Sequence, residues 1–98
     1  NEEILGYPMK ALVGLNTDTK HREHILRKIK KLPETRVIHE VTGRFDIMME
    51  IRARSLDDLH KIVTSNIGQI DGIIRTESFI AMKTVFQDPS FVEIDQIA

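Results

Sequence analysis

From Met9 to Asn16 the chain alternates loosely, Met9, Ala11, Val13 and Leu15 against Lys10, Leu12 and Gly14, which predicts a strand with apolar residues on both faces. Asn16, Thr17, Asp18 and Thr19 then offer helix N-caps, and Ile25, Leu26, Ile29 and Leu32 make the stripe of an amphipathic helix that Pro33 ends. Residues Thr35 to Thr42 and Phe45 to Ala53 read as two further strands. Gly43 and Arg44, a link of about two residues, join them as an antiparallel hairpin. Ser55 and Asp58 resemble a capping box, with aspartate in the usual place of glutamate, ahead of the apolar stripe Leu56, Leu59, Ile62 and Val63; Gly68 is the expected stop. A long last strand is predicted from Gly72 to Phe86.

The order is one strand-helix-strand unit repeated. Right-handed crossovers in both halves place two helices on one face of a four-stranded antiparallel sheet, an α+β, ferredoxin-like βαββαβ arrangement. Residues 9–86 form this domain; residues 1–8 read as a linker or lead-in strand and residues 87–98 as a C-terminal tail. In that tail Phe91, Val92, Ile94 and Ile97 are able to dock on the body or on a neighbour.

A sheet with one wet face alternates cleanly, and this one does not. On the third strand Phe45, Ile47, Met49 and Ile51 are expected on one face, with Met48 beside Asp46, Glu50 and Arg52 on the other. On the last strand Ile74, Ile80, Met82 and Phe86 oppose Phe79, Ala81 and Val85. Two helices cover one face only, so the other is expected to pack on a second copy, giving a two-fold homodimer through the sheet, a dimeric α/β barrel. The plainer outcome is that the long last strand and the tail roof that face within one chain.

The 98 residues are 41% hydrophobic and 30% charged, an ordinary soluble domain near the small end of what builds its own core. There is no cysteine, which excludes disulfides, zinc-thiolate sites and thiol catalysis and fits a cytoplasmic home. A net charge of −1 gives no global field for nucleic acid. No apolar run approaches the roughly 20 residues that cross a bilayer, so no membrane partner is expected. The chain starts at Asn1 rather than methionine, and is expected to be a piece of something longer.

Chemistry is sparse. The hairpin "VTGRFD" from Val41 to Asp46 is the first candidate: N–H groups opened by the turn, with Arg44 and Asp46 beside them, suit the two ends of a zwitterion. The plainer reading gives Gly43 to a positive φ and Asp46 to capping the turn. Thr76 and Ser78, two apart on a strand, share a face and could meet a polar ligand, or serve β-propensity alone. His21, His24 and Asp18 have metal-like spacing but lack a further strong ligand, and read as a solvated helix start. His39 and His60 stand in no nucleophilic constellation. The basic first helix reads as a solubility face. "GRF" resembles the start of an RNA-recognition strand, but Ile47, Met49 and Ile51 stand where stacking aromatics belong.

Four stretches together resemble the ligand-sensing RAM domain of Lrp/AsnC transcriptional regulators: Gly6-Tyr7-Pro8 followed by Ala11-Leu12-Val13, "LPE" at Leu32 to Glu34, "HEVTGRFD" at His39 to Asp46, and Asp71-Gly72-Ile73 leading to Thr76-Glu77-Ser78. The resemblance implies a sheet-paired dimer that assembles further, into tetramers to octamers. It further implies amino-acid effectors between dimers, no other cofactor or metal, and DNA reached only through a separate helix-turn-helix domain. It also implies effector contacts at Thr42, Gly43, Arg44, Asp46, Thr76 and Ser78, the last departing from the usual threonine. Ile4 to Pro8 resembles the strand leading out of such a DNA-binding domain, and a separated sensor is preferred to a free-standing one. No catalysis is implied.

Two rivals share the topology. A dimeric α/β-barrel enzyme, such as a cofactor-free monooxygenase, needs a cavity between helices and sheet with a His or Tyr inside, and the only tyrosine, Tyr7, precedes the first strand. An amino-acid-binding ACT domain pairs its sheets side by side.

Overall fold

The computed structural model describes residues 8–90. Its strands are β1 (Met9–Thr17), β2 (Thr35–Glu40), β3 (Ile47–Ala53) and β4 (Ile73–Ile80); its helices are α1 (Arg22–Lys30) and α2 (Leu56–Lys61). The strands form one antiparallel sheet in the order β2-β3-β1-β4. This is the ferredoxin-like α+β arrangement expected from the repeat.

The helices form where stripe and caps agree. Asp18, among the cap candidates, accepts a hydrogen bond from Lys20 N at 3.0 Å and opens a short 3₁₀ turn, Thr19–His21, before α1. Ser55 Oγ accepts from Asp58 N at 3.1 Å, and the Asp58 carboxylate accepts from Arg54 N at 2.8 Å, the reciprocal cap one residue early. Beyond Lys61 the helix widens into a π-helical turn, Ile62–Ile67, which Gly68 closes by donating to the Val63 carbonyl at 2.8 Å.

One face of the sheet takes both helices. Ala11, Val13 and Leu15 of β1, with Ile47, Met49, Ile51 and Ala53 of β3, pack fully buried against Ile25 and Ile29 of α1 and against Leu59, Ile62 and Ile67. Registers Val13↔Met49 and Leu15↔Ile47 put these side chains on the same side. Leu12, Val37, Met48 and Phe79 fall on the opposite, open face, with Leu12 and Phe79 still 39% and 41% exposed.

Three expectations are corrected. The β2–β3 link runs from Val41 to Asp46 rather than over two residues, closed by Val41 N donating to the Asp46 carbonyl at 3.0 Å, so Thr42 and Phe45 lie in no strand. Phe45 does not join Ile47 on the helix face. It lies on the open face over Gly14, whose missing side chain makes room for the ring. The last strand ends at Ile80, although Ala81 N still donates to the Lys10 carbonyl at 3.0 Å. Thr76, Ser78 and Ile80 pair with the buried Leu15, Val13 and Ala11 on the helix side, while Phe79 pairs with Leu12 on the open side.

Beyond Ile80 the described chain does not roof the open face. Met82, Val85 and Phe86 are 95%, 87% and 80% exposed. The lead-in with Tyr7, and Phe91, Val92, Ile94 and Ile97, lie outside the described residues.

Candidate functional site

The Val41–Asp46 loop is held to β1 at its Asp46 end, and Val41 is tied back to Asp46. Asp46 N donates to the Leu15 carbonyl at 2.9 Å, and the Asp46 carboxylate accepts from Thr17 N at 2.8 Å. Arg22, on α1, places its guanidinium 3.8 Å from the other carboxylate oxygen while its Nε donates to Thr17 Oγ1 at 2.7 Å. Asp46 therefore ties loop, strand and helix together. At the loop's crest Asn16 Nδ2 donates to the Arg44 carbonyl at 2.9 Å, and Phe45, 7% exposed, plugs the loop onto the sheet.

Between these anchors the backbone is open. Gly43 holds φ +137°, and Thr42, Gly43 and Arg44 are exposed; among the described residues their N–H groups have no hydrogen-bond partner. Unpaired donors on an exposed, anchored turn are groups that a carboxylate can take up. The Arg44 side chain is 67% exposed and reaches over the open face to Glu77 at 3.3 Å. Arg75 takes the same Glu77 oxygen at 3.2 Å, and both guanidinium groups lie over the Phe45 ring, 5.7 and 5.9 Å from its centre. Phe79 meets that ring edge-on at 6.4 Å.

The six sequence candidates thus divide. Thr42, Gly43, Arg44 and Asp46 share the loop, with Asp46 turned inward as an anchor. Thr76 and Ser78 share a face as expected, but it is the helix-side face of β4, away from the residues Arg44 touches. Sequence reading missed Asn16, Thr17, Arg22, Arg75 and Glu77. The alternation Arg75, Glu77, Phe79 was the available signal for the last two. Among the described residues no group of three or more His, Cys, Asp or Glu gathers as a metal site would; His21 Nδ1 lies 3.3 Å from Asp18. No described helix is long and apolar enough to cross a membrane.

Fold and loop together define a small α+β ligand-binding module. The chain belongs to the family described as the Lrp/AsnC ligand binding domain, whose pattern matches residues 10–91. An HTH-type transcriptional regulator of Pyrococcus furiosus is 31% identical over 88 residues, covering 90% of this chain and 59% of the relative. Among solved structures, Escherichia coli AsnC superposes with a TM-score of 0.83 at 26% identity, over 90% of this chain and 60% of that one. The feast or famine regulatory protein of Mycobacterium tuberculosis, solved with L-methionine, matches in fold with a TM-score of 0.78 at 21% identity, over 90% and 59%. The chain spans about three fifths of the length of these relatives.

Proposed function

We propose that this chain is the amino-acid-sensing and oligomerisation part of a cytoplasmic transcriptional regulator that reaches DNA through a separate helix-turn-helix domain. The observation that carries the reading is the loop: unpaired N–H groups at Thr42, Gly43 and Arg44 on a turn that Asp46 and Phe45 hold rigid. Its family and a fold neighbour solved with L-methionine support the ligand class. The effector carboxylate binds the loop N–H groups and Arg44. Thr76 and Ser78, which face away from their own loop, meet an effector held by another copy, and Asp46 acts on the effector through the turn that it anchors.

Two copies pair through the open faces, whose apolar Leu12, Val37, Met48 and Phe79 have no roof among the described residues. Dimers associate further, up to tetramers or octamers, with effectors between them. An effector preferring one assembly tenfold shifts the balance by about 1.4 kcal/mol, and no bond need be made or broken. The regulators among its relatives favour this over the enzyme reading.

Isothermal titration against the proteinogenic amino acids tests the proposal. Heat with one or a few of them, lost in Arg44→Ala, is the expected result; no heat with any would sink it.

A further inference from the structure

The guanidinium that an effector carboxylate would use is already engaged. Arg44 Nη2 donates to Glu77 Oε1 at 3.3 Å, and Arg75 Nη2 donates to the same oxygen at 3.2 Å. The two contacts differ in origin. Arg75, Glu77 and Phe79 alternate along β4 and share the open face, so the Arg75 contact is made within one strand. The Arg44 contact crosses from the loop to β4. Glu77 pairs with Gly14, the residue that the Phe45 ring covers, so its carboxylate stands beside that ring with a guanidinium on either side.

The loop backbone need not move for Arg44 to leave Glu77. Asn16 Nδ2 fixes the Arg44 carbonyl at 2.9 Å and the buried Phe45 pins the next residue, while the Arg44 side chain reaches solvent over most of its surface. The guanidinium therefore turns about a held backbone whose own N–H groups are unpaired. An ion pair between partly exposed side chains is weak, and Glu77 keeps Arg75 when Arg44 departs. Glu77 also presents to Arg44 the same charged group, a carboxylate, that an amino acid brings, and a planar fork laid along one carboxylate is turned from another.

We propose that Glu77 is an internal competitor that sets the affinity of the loop for its effector: its carboxylate holds Arg44 on the open face, and the effector's carboxylate binds by taking Arg44 from it. Arg75 tunes the exchange by sharing the Glu77 oxygen. This rests on the reading of the loop as the effector site. Each exchange also withdraws one of the two cations stacked on Phe45.

The test is a calorimetric titration of the parent chain, Glu77→Gln, Glu77→Asp and Arg75→Ala against the proteinogenic amino acids. Affinity should rise about two- to fivefold in Glu77→Gln, the range that an exposed ion pair supports. It should rise also in Glu77→Asp, which keeps the charge but falls one methylene short of Arg44. In Arg75→Ala, where Glu77 is left to Arg44 alone, it should fall by a similar factor. Equal affinities in all four chains, a loss in Glu77→Gln, or a gain confined to Glu77→Gln, which reports only the general field of a lost charge, would each overturn the proposal. Sodium acetate at constant ionic strength, followed at the ¹⁵Nε signal of Arg44, separates the exchange from the effector reading. If no amino acid gives heat with any of the chains, the effector reading fails; an acetate shift at lower concentration in Glu77→Gln than in the parent then still supports the exchange, and equal responses end it.

Discussion

The ring of Phe45 rests on Gly14: a β carbon added to that glycine would stand 2.7 Å from Phe45 Cγ and 2.8 Å from both Cδ atoms. This contact, between residues far apart in sequence, carries the loop across the open face. Gly14→Ala is expected to destabilise by about 1–3 kcal/mol through overpacking. Urea midpoints at fixed protein concentration measure it. In a Phe45→Ala background the penalty should largely vanish; an equal cost in both backgrounds would show that the contact is not the cause.

Asp46→Ala removes the acceptor of the part-buried Thr17 N–H, at a cost of about 1–3 kcal/mol. Asp46→Asn keeps an oxygen and should lose less. The ion pair with Arg22, at 3.8 Å and partly exposed, adds little. Amide exchange at Thr17 is the specific readout, and it should quicken in the alanine variant well before global unfolding.

At Gly43 a β carbon would meet nothing within 4 Å, so Gly43→Ala tests conformation alone. A φ of +137° strains any side chain by about 1–3 kcal/mol. The variant should either lose that much stability or let the turn relax and misdirect its N–H groups. Unchanged stability together with unchanged effector heats would contradict both this strain and the role given to the loop.

The open face supplies the test of assembly. Sedimentation of the chain should show dimers or larger species. Phe79→Asp and Leu12→Asp, which place charge among exposed apolar neighbours, should shift it toward monomer with the helix-side core intact. A folded monomer already present in the parent chain at high concentration would remove the sheet-paired dimer.

The sequence was most legible where its pattern repeats over a few residues. Alternation at Met9 to Leu15 and at Ile47 to Ile51, and the stripes at Ile25 to Ile29 and Leu59 to Ile62, locate the elements because each buries one face of a regular period. Their order was enough for the ferredoxin-like topology, and the local caps at Asp18 and Ser55 could be read from residue type and spacing.

The site was less legible. The loop residues were visible as a motif, but Thr76 and Ser78 turn to the face opposite Arg44, and Glu77, which Arg44 touches, was overlooked.

By itself the chain of residues determined which segments become strands and helices, in what order, and which stripes they bury, since these depend on neighbours within one or two turns. Only the tertiary structure decided that Phe45 leaves its strand to lie on Gly14, that Asp46 is taken up by Thr17, that α2 widens before Gly68, and that β4 stops at Ile80. The places of Phe45 and Asp46 turn on β1 lying beside β3 and β4, where a bare glycine or a free backbone N–H offers a partner that no local pattern encodes.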